Sequence, residues 1–160
     1  MCKVWFAYGM SWYSWIIRLI LQSDINHVYM TYILNGVEWA IEIDGKGVRL
    51  APSRMIHIEY NQEKTSCVEL DIDPVVLMTK SHKYLGKKYD WKGLFSALFK
   101  LLSYKLFGIE DYSYIGSRNK YFCSEFVASI LIDCGYLDRT VIRPDLTSPE
   151  DLRRLLNGLS

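Results

Sequence analysis

The pattern of apolar and polar positions splits the chain into two halves. In the first, apolar residues come in short runs separated by turn residues. Lys3 to Tyr8 is short, aromatic and β-branched, which predicts a strand. Ser11 is a candidate cap for a helix running to about Gln22. His27 to Leu34 predicts a second strand. Asn35-Gly36 is a two-residue hairpin signal, so Val37 to Ile43 should return antiparallel. Asp44-Gly45 and Gly47 punctuate a further turn before Val48 to Leu50, and Met55 to Glu59 and Cys67 to Ile72 predict two more strands. The second half changes to helical spacing. Pro74 opens a helix to about Leu85, stopped near Gly86. Trp91 to Phe107 is longer. Its Lys92, Ser96, Lys100 and Ser103 share one face, with Leu94, Phe95, Leu98, Leu101 and Leu102 around the rest. Cys123 to Cys134 reads as a helix ended by Gly135. Ser148-Pro149-Glu150-Asp151 starts the last one with a cap, a proline and acids at the positive end. Strands first and helices later predict an α+β fold, an antiparallel sheet packed against helices.

Composition narrows this little. A chain of 160 residues without repeats or linker-like tracts predicts a single domain spanning 1–160. The net charge of +1 excludes the basic footprint of a nucleic-acid binder. The cysteines are Cys2, Cys67, Cys123 and Cys134, with no CxxC pair, and His27, His57 and His82 lie far apart. That spacing supports no metal site, and no cofactor is expected. The apolar run Trp12 to Leu21 is broken by Ser14 and Arg18 and falls short of the roughly 20 residues of a membrane span. The start Met1-Cys2-Lys3 lacks the organisation of a signal peptide. The expectation is a protein cytoplasmic as synthesised, with reduced thiols.

Candidate chemistry centres on "YFCSEFVASI", residues 121–130. Cys123 falls at a predicted helix start, where unpaired N–H groups and partial positive charge favour a thiolate and can serve an oxyanion. Alone, it reads first as a small buried core residue, the commoner fate of a free cysteine. A thiolate nucleophile needs a base and the base an orienting group. His27 begins a strand just after a turn. His57 sits in an Ile-His-Ile alternation and reads as solvent-facing, and His82 as surface. With the hairpin turn at Asn35-Gly36, facing residues have numbers summing to about 71. His27 then lies across from position 44, and Glu42 is one diagonal step away. A carboxylate there can orient an imidazole; an exposed edge glutamate is the plainer reading.

The ordered segments "NHVYM", "WAIEIDGKGV", "LGKKYDW", "YFCSEFV" and "TSPEDL" resemble the circularly permuted branch of the NlpC-type papain-like cysteine hydrolases, the YiiX-like group. In that branch the histidine strand precedes the cysteine helix, as it also does in lecithin:retinol acyltransferase-like enzymes. The resemblance implies a permuted papain-like fold with Cys123 as nucleophile, His27 as general base and Glu42 as the orienting group. It also implies an aromatic, Tyr89, near the cleft. Ser124 is expected beside the oxyanion site, and Asp90 is read as structural. The implied activity is a cysteine hydrolase, an amidase or peptidase, on a peptide or cell-wall fragment. A lipid-directed thiol acyltransferase or esterase is the alternative. A cell-wall target would require export, or release on lysis as in a phage. The apolar helix at 91–107 leaves membrane-surface contact open beside the plainer reading of a core helix with a solvated stripe. A non-catalytic binding domain on the same scaffold is the remaining reading.

Overall fold

The computed structural model describes residues 1–9, 14, 18–19, 23–107 and 120–159, with some side chains between 97 and 106 left out. The expected helix from Ser11 to Gln22 lies mostly outside the described residues; Ser14, Arg18 and Leu19 within it are helical. Arg118, which precedes the cysteine helix, is also outside them.

The core of the molecule is a five-stranded sheet in the order β4-β3-β2-β1-β5. Its strands are β1 (Cys2–Gly9), β2 (His27–Leu34), β3 (Val37–Asp44), β4 (Gly47–Pro52) and β5 (Tyr60–Leu70). Every pairing in it is antiparallel. The β2–β3 hairpin has the expected register, with Met30 opposite Ile41 and Leu34 opposite Val37. Its turn holds Asn35 at φ 50° and Gly36 at φ 74°. These left-handed angles match the strand twist, and Gly adopts them without steric cost.

Side chains alternate across the strands, so the sheet has two distinct faces. One carries Val4, Phe6, Val28, Met30, Ile41, Ile43, Val68 and Leu70 and forms the main apolar core with Phe126, Val127, Ile130 and Leu131. Those last four lie on one helix, α4 (Cys123–Asp133). The opposite face carries Trp5, Ala7, Tyr29 and Ala40 and is covered by Ile56 and Tyr60.

Ile56 belongs to a short helix, α1 (Ser53–His57), where the alternation predicted a strand from Met55 to Glu59. Only Ile56 of that segment is fully buried; Met55 and Ile58 are exposed. A single helical turn presents that one side chain to the sheet, and Arg54 and His57 in its last turn suit the helix end. Strand β5 begins at Tyr60, earlier than the expected Cys67, because its outer half is an exposed polar edge without an apolar signature.

The helices follow as α2 (Pro74–His82), α3 (Trp91–Phe107), α4 and α5 (Pro149–Leu159). Gly135, at φ 73°, ends α4. Ser148 and Asp151 cap α5 reciprocally: the Ser148 hydroxyl accepts from the Asp151 N–H, and the Asp151 carboxylate accepts from the Ser148 N–H. Two short strands, β6 (Lys88–Tyr89) and β7 (Lys120–Tyr121), pair in parallel and lead into α3 and α4. On α3 the expected solvated stripe is not uniform. Lys92 is exposed but Ser103 is buried, while Phe95, Phe99 and Phe107 are exposed.

Candidate active site

The site begins with the hairpin. Its register sets His27 two residues out of line with Glu42 on the same face, and the His27 Nε2–H donates to Glu42 Oε2 at 2.8 Å. Glu42 is completely buried and His27 nearly so. The plainer reading of Glu42 as an exposed edge residue does not hold. It sits on β3, an interior strand, and α1 and Tyr60 cover its face.

Cys123 is the first residue of α4 and is 4% exposed. Phe126, Val127, Ile130 and Leu131 anchor the helix in the core and fix where its first turn points. The Cys123 thiol is close enough to the His27 side chain to favour the protonated imidazole. It also lies 3.9 Å from the Asn26 carbonyl, one residue ahead of His27. With Nε2 committed to Glu42, Nδ1 is the ring nitrogen left for the thiol. Asn26 is itself tied down, its Oδ1 accepting from the Gly9 N–H at 2.7 Å. A Cβ on Gly9 would come within 2.7 Å of Ser14 Oγ and 2.9 Å of the Asn26 amide, so this end of β1 has room for glycine only.

Three groups surround the Glu42 carboxylate. Oε2 accepts from His27 and, at 2.7 Å, from the Tyr60 hydroxyl; Oε1 accepts from Arg49 Nε at 2.5 Å. Arg49 stands directly opposite Glu42 on β4 and continues outward to Glu59 at 2.6 Å. Burial alone would disfavour both charges of the His27–Glu42 pair. For His27, the nearby Cys123 and the bond to Glu42 outweigh burial and raise the imidazole well above its ordinary value. For Glu42, the His27 bond and charge, the Tyr60 hydroxyl and Arg49 outweigh burial and hold the carboxyl below its ordinary range. The stable state of the pair is therefore imidazolium beside carboxylate.

Arg49 and Tyr60 were not singled out from the sequence. Arg49 carried a usable signal: the turn at Gly45-Lys46 sets it across from Glu42 by the same arithmetic that paired His27 with position 44. Tyr60 carried none, because β5 was expected to start later. His57 does not face solvent as expected. Its Nδ1 lies 2.6 Å from the Tyr29 hydroxyl, and burial lowers its pKa. His82 is exposed, as read.

The remaining expected residues fall as follows. Tyr89 is half-buried on β6, in register with Tyr121, two residues before Cys123, and packs on Trp91 at 4.7 Å between ring centres. Asp90 is buried and starts α3, its Oδ1 accepting from the Gly93 N–H at 2.9 Å. Ser124 follows Cys123 in the first turn of α4. It is fully buried, and its hydroxyl donates to the Thr147 carbonyl at 2.6 Å, tying α4 to the segment before α5. That bond engages its hydroxyl in the fold. Glu125 reaches back to the Phe122 N–H at 3.4 Å, and burial pushes its carboxyl up to about 7.

No protein-family model matches the sequence, and no curated protein matches it. Among solved structures the chain is similar to the metalloprotein yiiX from Escherichia coli O157:H7, DUF1105. The two are 20% identical, with a TM-score of 0.60. The match covers 82% of this chain and 64% of that one. The fold is YiiX-like. The histidine strand lies ahead of the cysteine helix, the order that the resemblance implies. This chain spans less than two-thirds of the length of the YiiX structure. No helix among the described residues is long and apolar enough to cross a membrane.

Proposed function

We propose that the chain is a cysteine-nucleophile hydrolase, an amidase or peptidase. Cys123 is its nucleophile, His27 its general base and acid, and Glu42 the group that orients His27. The carrying observation is that His27 bonds Glu42 through Nε2 while the Cys123 thiol stands against the Asn26–His27 segment, near enough to act on the imidazole. With the proton of the thiol held at Nδ1 of the His27 imidazolium, Cys123 Sγ adds to the carbonyl carbon of an amide. The oxygen that gains charge is served by N–H groups of the first turn of α4, which have no acceptor within the helix. Collapse of the tetrahedral species breaks the C–N bond, and His27 returns the proton to the departing amine. Water, deprotonated by His27, then releases the acid and regenerates the thiol.

An open groove of about 560 Å³ is lined by Ser23, Asp24 and Ile25, which precede His27 in the chain, and not by Cys123, His27 or Glu42 themselves. Thr65, Glu63, Lys64 and Arg153 also line it. Hydroxyls and charges of both signs suit a peptide or cell-wall fragment better than an acyl chain. The lipid-directed reading has its own observation: the exposed Phe95 and Phe107 of α3, with Trp91 stacked on Phe95. YiiX is described as a metalloprotein, but no group of three or more His, Cys, Asp or Glu among the described residues is arranged to hold a metal. The described residues do not fit that group, and no step above passes through one.

The test is alkylation by iodoacetamide at neutral pH, with modified cysteines located by mass spectrometry. Cys123 should label faster than an exposed model thiol, and the advantage should vanish in His27→Ala. Labelling no faster than the model thiol overturns the nucleophile. A trapped acyl group on Cys123 after incubation with peptide or lipid would identify the substrate class. A Cys123→Ala protein that keeps its full cellular effect would favour the binding-domain reading.

A further inference from the structure

The β1–β5 ladder changes register along its length. From Cys2–Leu70 to Phe6–Ser66, paired residue numbers sum to 72; for Tyr8–Asn61 and Gly9–Tyr60 they sum to 69. The slip is by three residues, an odd number. Successive side chains point to opposite faces, so an odd slip carries everything beyond it to the other side of the sheet. Val68 and Leu70 point into the main core under α4. Tyr60 has the same parity, yet it packs on the opposite face with Ala7, Tyr29 and Ile56. In an unslipped ladder its ring would belong on the core side. Bulges that re-aim one side chain occur beside functional sites.

The side chain so delivered meets the site through both of its parts. Its ring lies over the His27 imidazole at 5.1 Å between centres, with planes 13° apart. Tyr29 backs it at 5.4 Å and 17°. Its hydroxyl donates to the same Glu42 oxygen that His27 uses. Across the ladder stands Gly9, which presents no side chain.

We propose that Tyr60 is a positioning residue, placed by the β5 bulge. Its ring fixes the imidazole plane and keeps water off the His27–Glu42 pair, and its hydroxyl fixes the carboxylate. This rests on the reading of Cys123, His27 and Glu42 given above. The charged and titratable groups around the pair are Arg49 on β4, Asp44 on β3, Tyr29 on β2, Glu59 ahead of β5, and Cys123 on α4. Of these, Arg49 serves the other carboxylate oxygen, so a change at Tyr60 leaves that contact in place.

Tyr60→Phe and Tyr60→Leu separate the two parts. Two readouts are followed on the full chain: the pH dependence of Cys123 alkylation by iodoacetamide, and the His27 titration by imidazole NMR. Tyr60→Phe loses a hydrogen bond to a charged group. It should raise the acid limit of alkylation by about one pH unit, with the rate at the parent's half-maximal pH falling roughly five- to tenfold. His27 should titrate where it does in the parent. Tyr60→Leu should raise the acid limit as well and, by admitting water, bring the His27 titration down toward its ordinary 6.5. That split, with Phe retaining what Leu loses, supports the proposal. Parent-like acid limits and His27 titrations in both folded variants overturn it and leave Tyr60 as packing. Should Tyr60→Leu not fold, the acid limit of Tyr60→Phe decides alone: raised supports, unmoved overturns. A parent in which Cys123 is unreactive and His27 titrates near 6.5 instead overturns the underlying nucleophile–base reading, and the role of Tyr60 with it.

Discussion

On β3, Ile41 and Ile43 point toward α4 while Glu42 between them points the other way, and all three are buried. The two faces of one sheet therefore meet burial by different physics. Under α4 the contacts are apolar and non-directional, and they depend on volume and shape. On the other face a buried carboxylate is held by His27, Tyr60 and Arg49. Those contacts are directional, and each loss leaves a buried polar group unpaired. The first face fixes where α4, and so Cys123, can stand. The second fixes the orientation and charge of His27. The site forms where the two meet, at the start of β2 and the first turn of α4.

Neighbouring substitutions on β3 give the strongest test of that division. Glu42→Ala should cost roughly 3–5 kcal/mol, because it strands His27 and Arg49 without their common partner. It should also remove the Cys123 alkylation advantage. Ile41→Ala should cost a similar ~2–5 kcal/mol through its cavity, yet leave the advantage per folded molecule intact. Urea unfolding and alkylation rates on both variants check this. Loss of the advantage in Ile41→Ala would break the separation of faces.

The next effect is the pH dependence of stability. The raised His27 value means that its contribution is complete below its ordinary 6.5 and is lost as pH rises through the folded value. The lowered Glu42 value means that its contribution is complete above its ordinary 4.5 and is lost as pH falls through the folded value. Stability from the pair should be greatest between those two ordinary values and decline on both sides. In Glu42→Gln this pH dependence should flatten, as measured by urea midpoints across pH.

The smallest effect concerns Ser124. If its hydroxyl serves the fold, Ser124→Ala should lower stability by about 1 kcal/mol through loss of the Thr147 bond. The Cys123 alkylation rate should stay close to the parent's. A large fall in that rate would place Ser124 in the site.

Much of the site's frame was legible because it is local. Asn35-Gly36 forced a tight hairpin, and a tight hairpin fixes register, so His27 and Glu42 could be brought together by counting. The same counting around Gly45-Lys46 reaches Arg49. Cys123 at a helix start followed from the apolar spacing after it and from Gly135 beyond. Where the reading failed, a distant contact had decided. The segment from Met55 to Glu59 alternates like a strand, but only Ile56 has a place on the sheet, so the chain turns once as a helix. The Thr147 partner of Ser124 also comes from a distant segment, the one before α5. The exposed phenylalanines of α3 likewise could not be told from core positions by spacing alone.

By itself, then, the sequence determined most of the strands and helices, the hairpin registers and the residue types able to form a nucleophile, a base and a carboxylate. These follow from turn geometry and side-chain periodicity, which act over a few residues. The tertiary structure alone decided that β5 slips by three beside β1, and that Tyr60 therefore faces His27. It alone also brought the first turn of α4 against Asn26 and His27. Those outcomes depend on pairings between segments far apart in the chain, and no local pattern encodes which register or which neighbour gives the best packing.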